Sequence, residues 1–288
     1  VKKYKKIKMK KIAGIVLSLC AGIQMEAQTT PIAYTGVEQS NAWVFYTGNH
    51  KITEKLGIHT EYQWRRNDLF NKWMQSQIRV GLDFNFSKVA STSFGYSFVK
   101  SMDYGKFADE TNPSYNHYEF NEHRIWQQFI TKQQIGRFYT QNRFRLEQRW
   151  IEYKKKDATG TYVRDNETLS PGTSEPFRFR QRARYRFMVQ IPLNHKEMVD
   201  NTVFLQVSDE VFVNFGGHVT KNIFDQNRAY IALGYRFNHH CNLQLGYMNQ
   251  FIEKSDGVHK EDNHTLQVAI TYNLDFMKMF KKSVMPAH

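Results

Sequence analysis

Polar and apolar residues alternate along most of this chain with a period of two. Leu56, Ile58, Thr60, Tyr62 and Trp64 interleave with Gly57, His59, Glu61, Gln63 and Arg65, and Ile78, Val80, Leu82 and Phe84 interleave with Gln77, Arg79, Gly81, Asp83 and Asn85. Successive side chains of a strand point to opposite faces, so each run predicts a strand with one apolar and one polar surface. The rule holds at 137–150, where Phe138, Phe144, Leu146 and Trp150 oppose Arg143, Arg145, Glu147 and Arg149, and at 243–251 and 266–274. Its sharpest instance is FRFRQRARYRF, residues 177–187. Arg178, Arg180, Arg182, Arg184 and Arg186 share one face, while Phe177, Phe179, Tyr185 and Phe187 lie on the other. A helix would scatter both sets around its axis, and Pro176 and Pro192 bracket the run as strand ends.

The same reading along the chain gives eleven candidate strands, at about 42–48, 55–66, 73–86, 91–99, 117–132, 135–151, 176–192, 202–213, 226–237, 242–252 and 263–274. Connections after the odd-numbered strands are mostly short; those after the fourth and sixth are long. Short turns at one end and long loops at the other are the arrangement of a membrane β-barrel. An exported chain then needs one more strand before residue 42, which only Gln28–Gln39 can supply, or else that segment lies as a plug in the lumen. The expected fold is therefore an all-β, transmembrane, antiparallel up-and-down β-barrel of about 12 strands with a polar, arginine-rich lumen. Loops 100–117 and 152–175 face outward from it.

Orientation follows from cost. A lipid-facing arginine at the bilayer midplane costs about 2–4 kcal/mol, so the row at 178–186 must face the interior. Trp43, Trp64, Trp73 and Trp150 lie near strand ends, where interfacial aromatics belong.

The N-terminus fits export. Lys10 and Lys11 lead into the apolar run Ile12–Ile23, and Ala27 follows, the layout of a signal peptide cleaved between Ala27 and Gln28. The expected organisation is a leader with a basic extension at 1–27, an N-terminal segment at 28–41, an outer-membrane barrel at 42–276 and a C-terminal tail at 277–288. The leader carries seven lysines and Glu26, so the formal net charge of +13 falls to about +7 without it. Only Cys241 remains after cleavage, which excludes an intramolecular disulfide and a four-cysteine metal site. Export also argues against nucleic acid as a partner, despite the interleaved arginines and aromatics. The expected partners are outer-membrane lipid and small anionic solutes.

At FDQNRAYIALGYRF (224–237), LQLGYMNQF (243–251), LEQRW (146–150) and DEVFVN (209–214) the chain resembles a family of uncharacterised bacterial outer-membrane β-barrels, domain of unknown function 2490. The resemblance covers about Trp43 to Phe276. It implies an outer-membrane barrel and carries no established activity.

The candidate chemistry lies on the polar face. Neighbouring arginines of one strand are about 7 Å apart and repel by roughly 2.4 kcal/mol at an effective dielectric of 20, so they need compensation. Arg178, Arg180, Arg182, Arg184 and Arg186, with Arg143, Arg145 and Arg149 on the preceding strand, are the candidate ligand-binding residues of the lumen. Glu61, Asp83, Glu122, Glu147 and Glu210 are their candidate counter-charges, about fourteen inward arginines against five carboxylates in all. One reading has the two sets pack the lumen shut, as a structural core or a closed channel. The other has the positive excess line an anion-selective passage or a pocket for carboxylate- or phosphate-bearing solutes. A lipid hydrolase is the third, but His59-Thr60 and His264-Thr265 are the nearest approaches to a His-nucleophile pair, and no G-x-S-x-G or H-E-x-x-H occurs. His239 and His240 read as turn residues, and His117, Glu119, Glu122 and His123 as a strand mixing both faces. No catalytic residue, cofactor or metal is predicted, and the protein is not expected to be an enzyme.

Overall fold

The computed structural model describes residues 35–102, 104, 119–152, 177–217, 219, 221–255 and 257–277, with the backbone of 155–156, 162–164 and 167–168. The leader, residues 28–34, His117, most of the two long loops and residues 278–288 lie outside the described residues.

Eleven strands close into a barrel: β1 (Thr35–Lys51), β2 (Leu56–Asn67), β3 (Lys72–Asn85), β4 (Ala90–Ser101), β5 (Phe120–Ile135), β6 (Phe138–Glu152), β10 (Phe177–Pro192), β11 (Thr202–Phe215), β12 (Phe224–Arg236), β13 (Cys241–Glu253) and β14 (His259–Tyr272). The numbers skipped belong to a three-stranded sheet between β6 and β10, namely β7 (Lys155–Lys156), β8 (Tyr162–Arg164) and β9 (Glu167–Thr168). All eleven expected strands are present. The count is eleven rather than about twelve because residues 35–41 run on without a break into the first strand. Among the described residues no separate strand precedes it.

Neighbours along the meander pair antiparallel, and the seam between β1 and β14 is parallel, from Thr35↔His259 to Thr47↔Thr271. An odd number of strands requires this, since the first and last then point the same way. β1 starts at the long-loop end and β14 finishes at the short-turn end.

The polarity is inside out compared with a water-soluble protein, where charged side chains are almost never fully buried. On β3, Arg79 is 1% exposed and Leu82 61%. Charged and amide side chains fill the interior, while Ile78, Val80, Leu82, Phe94, Phe144, Leu146, Ile231, Leu233 and Leu245 are exposed on the outer wall. Polar groups on that wall hydrogen-bond one another across strands. Gln127 and Gln148 exchange amide bonds of 3.0 and 3.3 Å, and the Tyr185 hydroxyl donates to Asn142 at 2.8 Å.

Aromatics ring both rims. Trp64 and Trp73 meet edge to face at 5.8 Å, and Trp150 packs on Phe179 at 5.2 Å, at the long-loop end. Phe84 with Phe86 and Tyr235 with Phe237 lie at the short-turn end. Trp43 departs from the expectation: it is 1% exposed, turned into the lumen and stacked on Phe45.

Candidate functional site

The interior is built from β10 outward. Its alternation places Arg178, Arg180, Arg182 and Arg184 in the lumen, each buried, with Arg186 partly buried on the same face and Phe179, Tyr185 and Phe187 exposed opposite. Antiparallel pairing with β6 sets Arg182 opposite Glu147, Arg184 opposite Arg145 and Arg186 opposite Arg143. Pairing with β11 sets Arg186 opposite Glu210.

Glu147, with no exposed surface, is the node. One carboxylate oxygen accepts from Arg182 at 2.6 Å, the other from Arg184 at 2.7 Å, and Arg79, reaching from β3, lies 3.7 Å away. The chain of charges continues both ways. Arg79 also pairs with Glu61 at 2.5 Å, and Arg182 with Asp225 at 2.7 Å. Arg184 shares Glu210 with Arg143, at 2.8 and 2.7 Å. Glu122 holds Arg124 and Arg149 at 2.6 and 2.5 Å. Thus Arg143, Arg149, Arg182 and Arg184 are brought to the predicted carboxylates Glu122, Glu147 and Glu210, and Glu61 joins through Arg79. Asp83 faces inward as expected, but its hydrogen bond comes from the Ser93 hydroxyl, at 2.5 Å.

Three buried aromatics lie among these charges. Arg184 and Arg228 sit over the Phe212 ring at 4.3 and 4.7 Å, and Arg65 over Trp43 at 4.1 Å. Trp126 lies beneath Arg79 and Arg145, and its indole fills the space that the facing pair Gly81 and Gly95 leave free: a Cβ at Gly81 would stand 2.6 Å from the ring. Such cation–π contacts stabilise more strongly when desolvated, by about 2 kcal/mol. Tyr104, just beyond β4, packs on the Trp43 cluster; burial first, and then the Glu261 carboxylate, push its phenol up to about 12, so it is neutral.

Asp225 and the three inward aromatics were not foreseen. Asp225 is the residue of β12 passed over at a register shift opposite Phe212 and Val213, and it turns into the lumen out of phase with its strand to meet Arg182. The aromatics occupy polar-face positions, and that phase was the available signal: Trp126 shares the parity of Glu122, Arg124 and Gln128.

Toward the short turns the packing gives way to a cavity of about 680 Å³. Its walls carry Glu61, Arg143, Arg145, Arg184, Arg186, Glu210 and Arg228, and it extends to Gln134, Asn238 and Asn273 at the turns.

Neither His59-Thr60 nor His264-Thr265 forms a nucleophilic pair. The Thr60 hydroxyl is 2.8 Å from Nε2 of His50, not His59, and His50 Nδ1 accepts the Leu274 amide at 3.1 Å. In the neutral ring the proton is then on Nε2, which donates to Thr60 and cannot act as its base. His264 is exposed on the wall, 2.6 Å from the Tyr247 hydroxyl, while Thr265 points into the lumen. Among the described residues no group of three His, Cys, Asp or Glu side chains is placed to hold a metal.

Fold and interior together define a closed β-barrel with an apolar wall and a charged core. The model of the family described as "Protein of unknown function (DUF2490)" matches residues 40–262, and the chain belongs to that family. Among solved structures it is similar to one titled "NanC porin structure in rhombohedral crystal form", at 10% identity and a TM-score of 0.43, over 81% of this chain and 99% of that one. No curated protein matches it.

Proposed function

We propose that the protein is a bacterial outer-membrane β-barrel, exported by the leader at 1–27, whose interior is shut by its arginine–glutamate layer, so that it serves as a closed barrel and not as an open passage. Support for the membrane comes from the wall. Its outer face is largely apolar, and polar groups within it bond one another, Gln127 with Gln148, Tyr185 with Asn142 and Asn227 with Asp209, as hydrocarbon requires. From Trp73 to Phe86 the chain advances 13 residues, roughly 33 Å along the barrel axis for a strand tilted by 40°, which matches the spacing of aromatics across a bilayer.

The observation that carries the closed reading is Glu147, wholly buried and clamped between Arg182 and Arg184 of β10 and Arg79 of β3. An ion would have to separate these charges to pass. Truncating one partner of such a buried pair costs about 3–5 kcal/mol, so the layer is not a loose gate. The buried Trp126 and Phe212 rings close the gaps between the charges.

Planar-bilayer recording on purified protein tests the reading. Closed barrels insert without stepwise conductance in potassium chloride; steady anion-selective steps would overturn it in favour of a passage. The lipid hydrolase has less in its favour, because His50 donates to Thr60 when it would have to accept.

A further inference from the structure

We infer that the short-turn half of the interior is a blind binding vestibule for a small polyvalent oxyanion, a carboxylate- or phosphate-bearing solute, held by Arg145, Arg186 and Arg228. The chemistry of the pocket stands by itself; only its being blind rests on the closed-barrel reading above.

The argument is one of unmatched charge. Both carboxylates on the cavity wall are already engaged: Glu61 by Arg79, and Glu210 by Arg143 and Arg184. Arg145, Arg186 and Arg228 feel these carboxylates only at longer range, and their hydrogen-bond acceptors are neutral amides. Arg145 donates twice to the Gln128 carbonyl, at 3.1 and 2.6 Å, Arg186 to that of Gln141 at 2.6 Å, and Arg228 to that of Gln226 at 3.2 Å. Arg145 is 2% exposed, and Nε of Arg186 is buried with no hydrogen-bond partner. A buried or half-buried cation with no anion in direct contact is costly, and a guanidinium's planar fork fits carboxylate and phosphate oxygens in pairs.

The three converge on one place. Arg145 stands opposite Arg184 across the β6–β10 ladder, Arg186 follows Arg184 on the same face of β10, and Arg228 shares the Phe212 ring with Arg184. All three line the 680 Å³ cavity, which is of ordinary size for a small-molecule site.

Isothermal titration calorimetry on the detergent-purified full chain tests this, with inorganic phosphate in one arm, citrate in another and chloride at matched ionic strength as control. Saturable binding with one site per chain is expected for phosphate or citrate, and the tighter arm identifies the source of the oxyanion. Arg186→Gln and Arg228→Gln should each weaken binding by about 10-fold or more, since each removes a charge-assisted bond. Should either variant fail to fold, Gln141→Glu decides the matter: it offers Arg186 a carboxylate in place, and should raise the melting temperature while abolishing binding. Absence of binding by both anions, or binding that Arg186→Gln, Arg228→Gln and Gln141→Glu leave unchanged, would overturn the inference. Conductance in a bilayer would overturn the closed barrel alone, because the calorimetry does not depend on it.

Discussion

At the scale of single residues, the interior is a set of charges whose worth depends on burial. Glu147→Gln keeps shape and most hydrogen-bonding capacity but removes the anion that Arg182 and Arg184 share. The expected cost is about 3–5 kcal/mol, measured by urea unfolding followed through tryptophan fluorescence. Glu54→Gln serves as the contrast. Its pair with Lys51 is solvent-exposed, so a change within about 0.5 kcal/mol is expected. Similar losses for the two variants would mean that the network is not the core. Much of this was legible in the sequence: a period of two put five arginines on one face, and Glu122, Glu147 and Glu210 carried the parity that makes them their partners. Asp225 was not, because a register shift breaks the parity from which it would be read. Trp43 was misplaced for a different reason. Its position near a strand end suits an interfacial girdle, but a lumen crowded with guanidinium groups also accepts aromatic rings as cation–π partners.

At the scale of elements, the strands were legible to within a few residues at most ends, since each keeps its alternation through the wall. The first is the exception. β1 begins at Thr35, seven residues ahead of the expected start, because Glu38 and Ser40 put polar groups on the outer face and hide the alternation. How the barrel closes was not legible at all, for the pattern of a strand says which face is buried but not which strand lies beside it. Single-chain outer-membrane barrels ordinarily have an even number of strands; the present barrel closes eleven through a parallel β1–β14 seam. The register pairs Val44 with Val268. With Cys241 replaced by serine, a Val44→Cys, Val268→Cys double variant should therefore oxidise to a disulfide, read as altered mobility on a non-reducing gel, because neighbouring strands bring Cα atoms to about 4.8 Å. Val44→Cys with Thr265→Cys, out of register and on the opposite face, should not cross-link. Failure of the first pair, or success of the second, would reject the parallel seam.

At the scale of the whole molecule, the two ends of the interior are unlike. Around Glu147 the long-loop half is packed with charges and rings, and Ser97 there has no exposed surface and bonds to Gln77 and to the Ile78 carbonyl. The short-turn half holds the cavity, with Gln190 on its wall. On the outer-membrane placement proposed above, with the short turns in the periplasm, this asymmetry would become a direction of access, with the arginines open to the periplasm and a closed surface facing outside. Single cysteines in a Cys241→Ser background report it. A polymer-linked maleimide too large to cross the outer membrane should leave Gln190→Cys unmodified in intact cells and label it once the periplasm is opened. Ser97→Cys should resist the reagent from either side, since reaching it requires parting the layer that Glu147 holds together. Labelling of Gln190→Cys in intact cells would place the vestibule on the outer surface. Labelling of Ser97→Cys in the folded protein would mean that the charged layer opens, and that the barrel conducts what its closed form excludes.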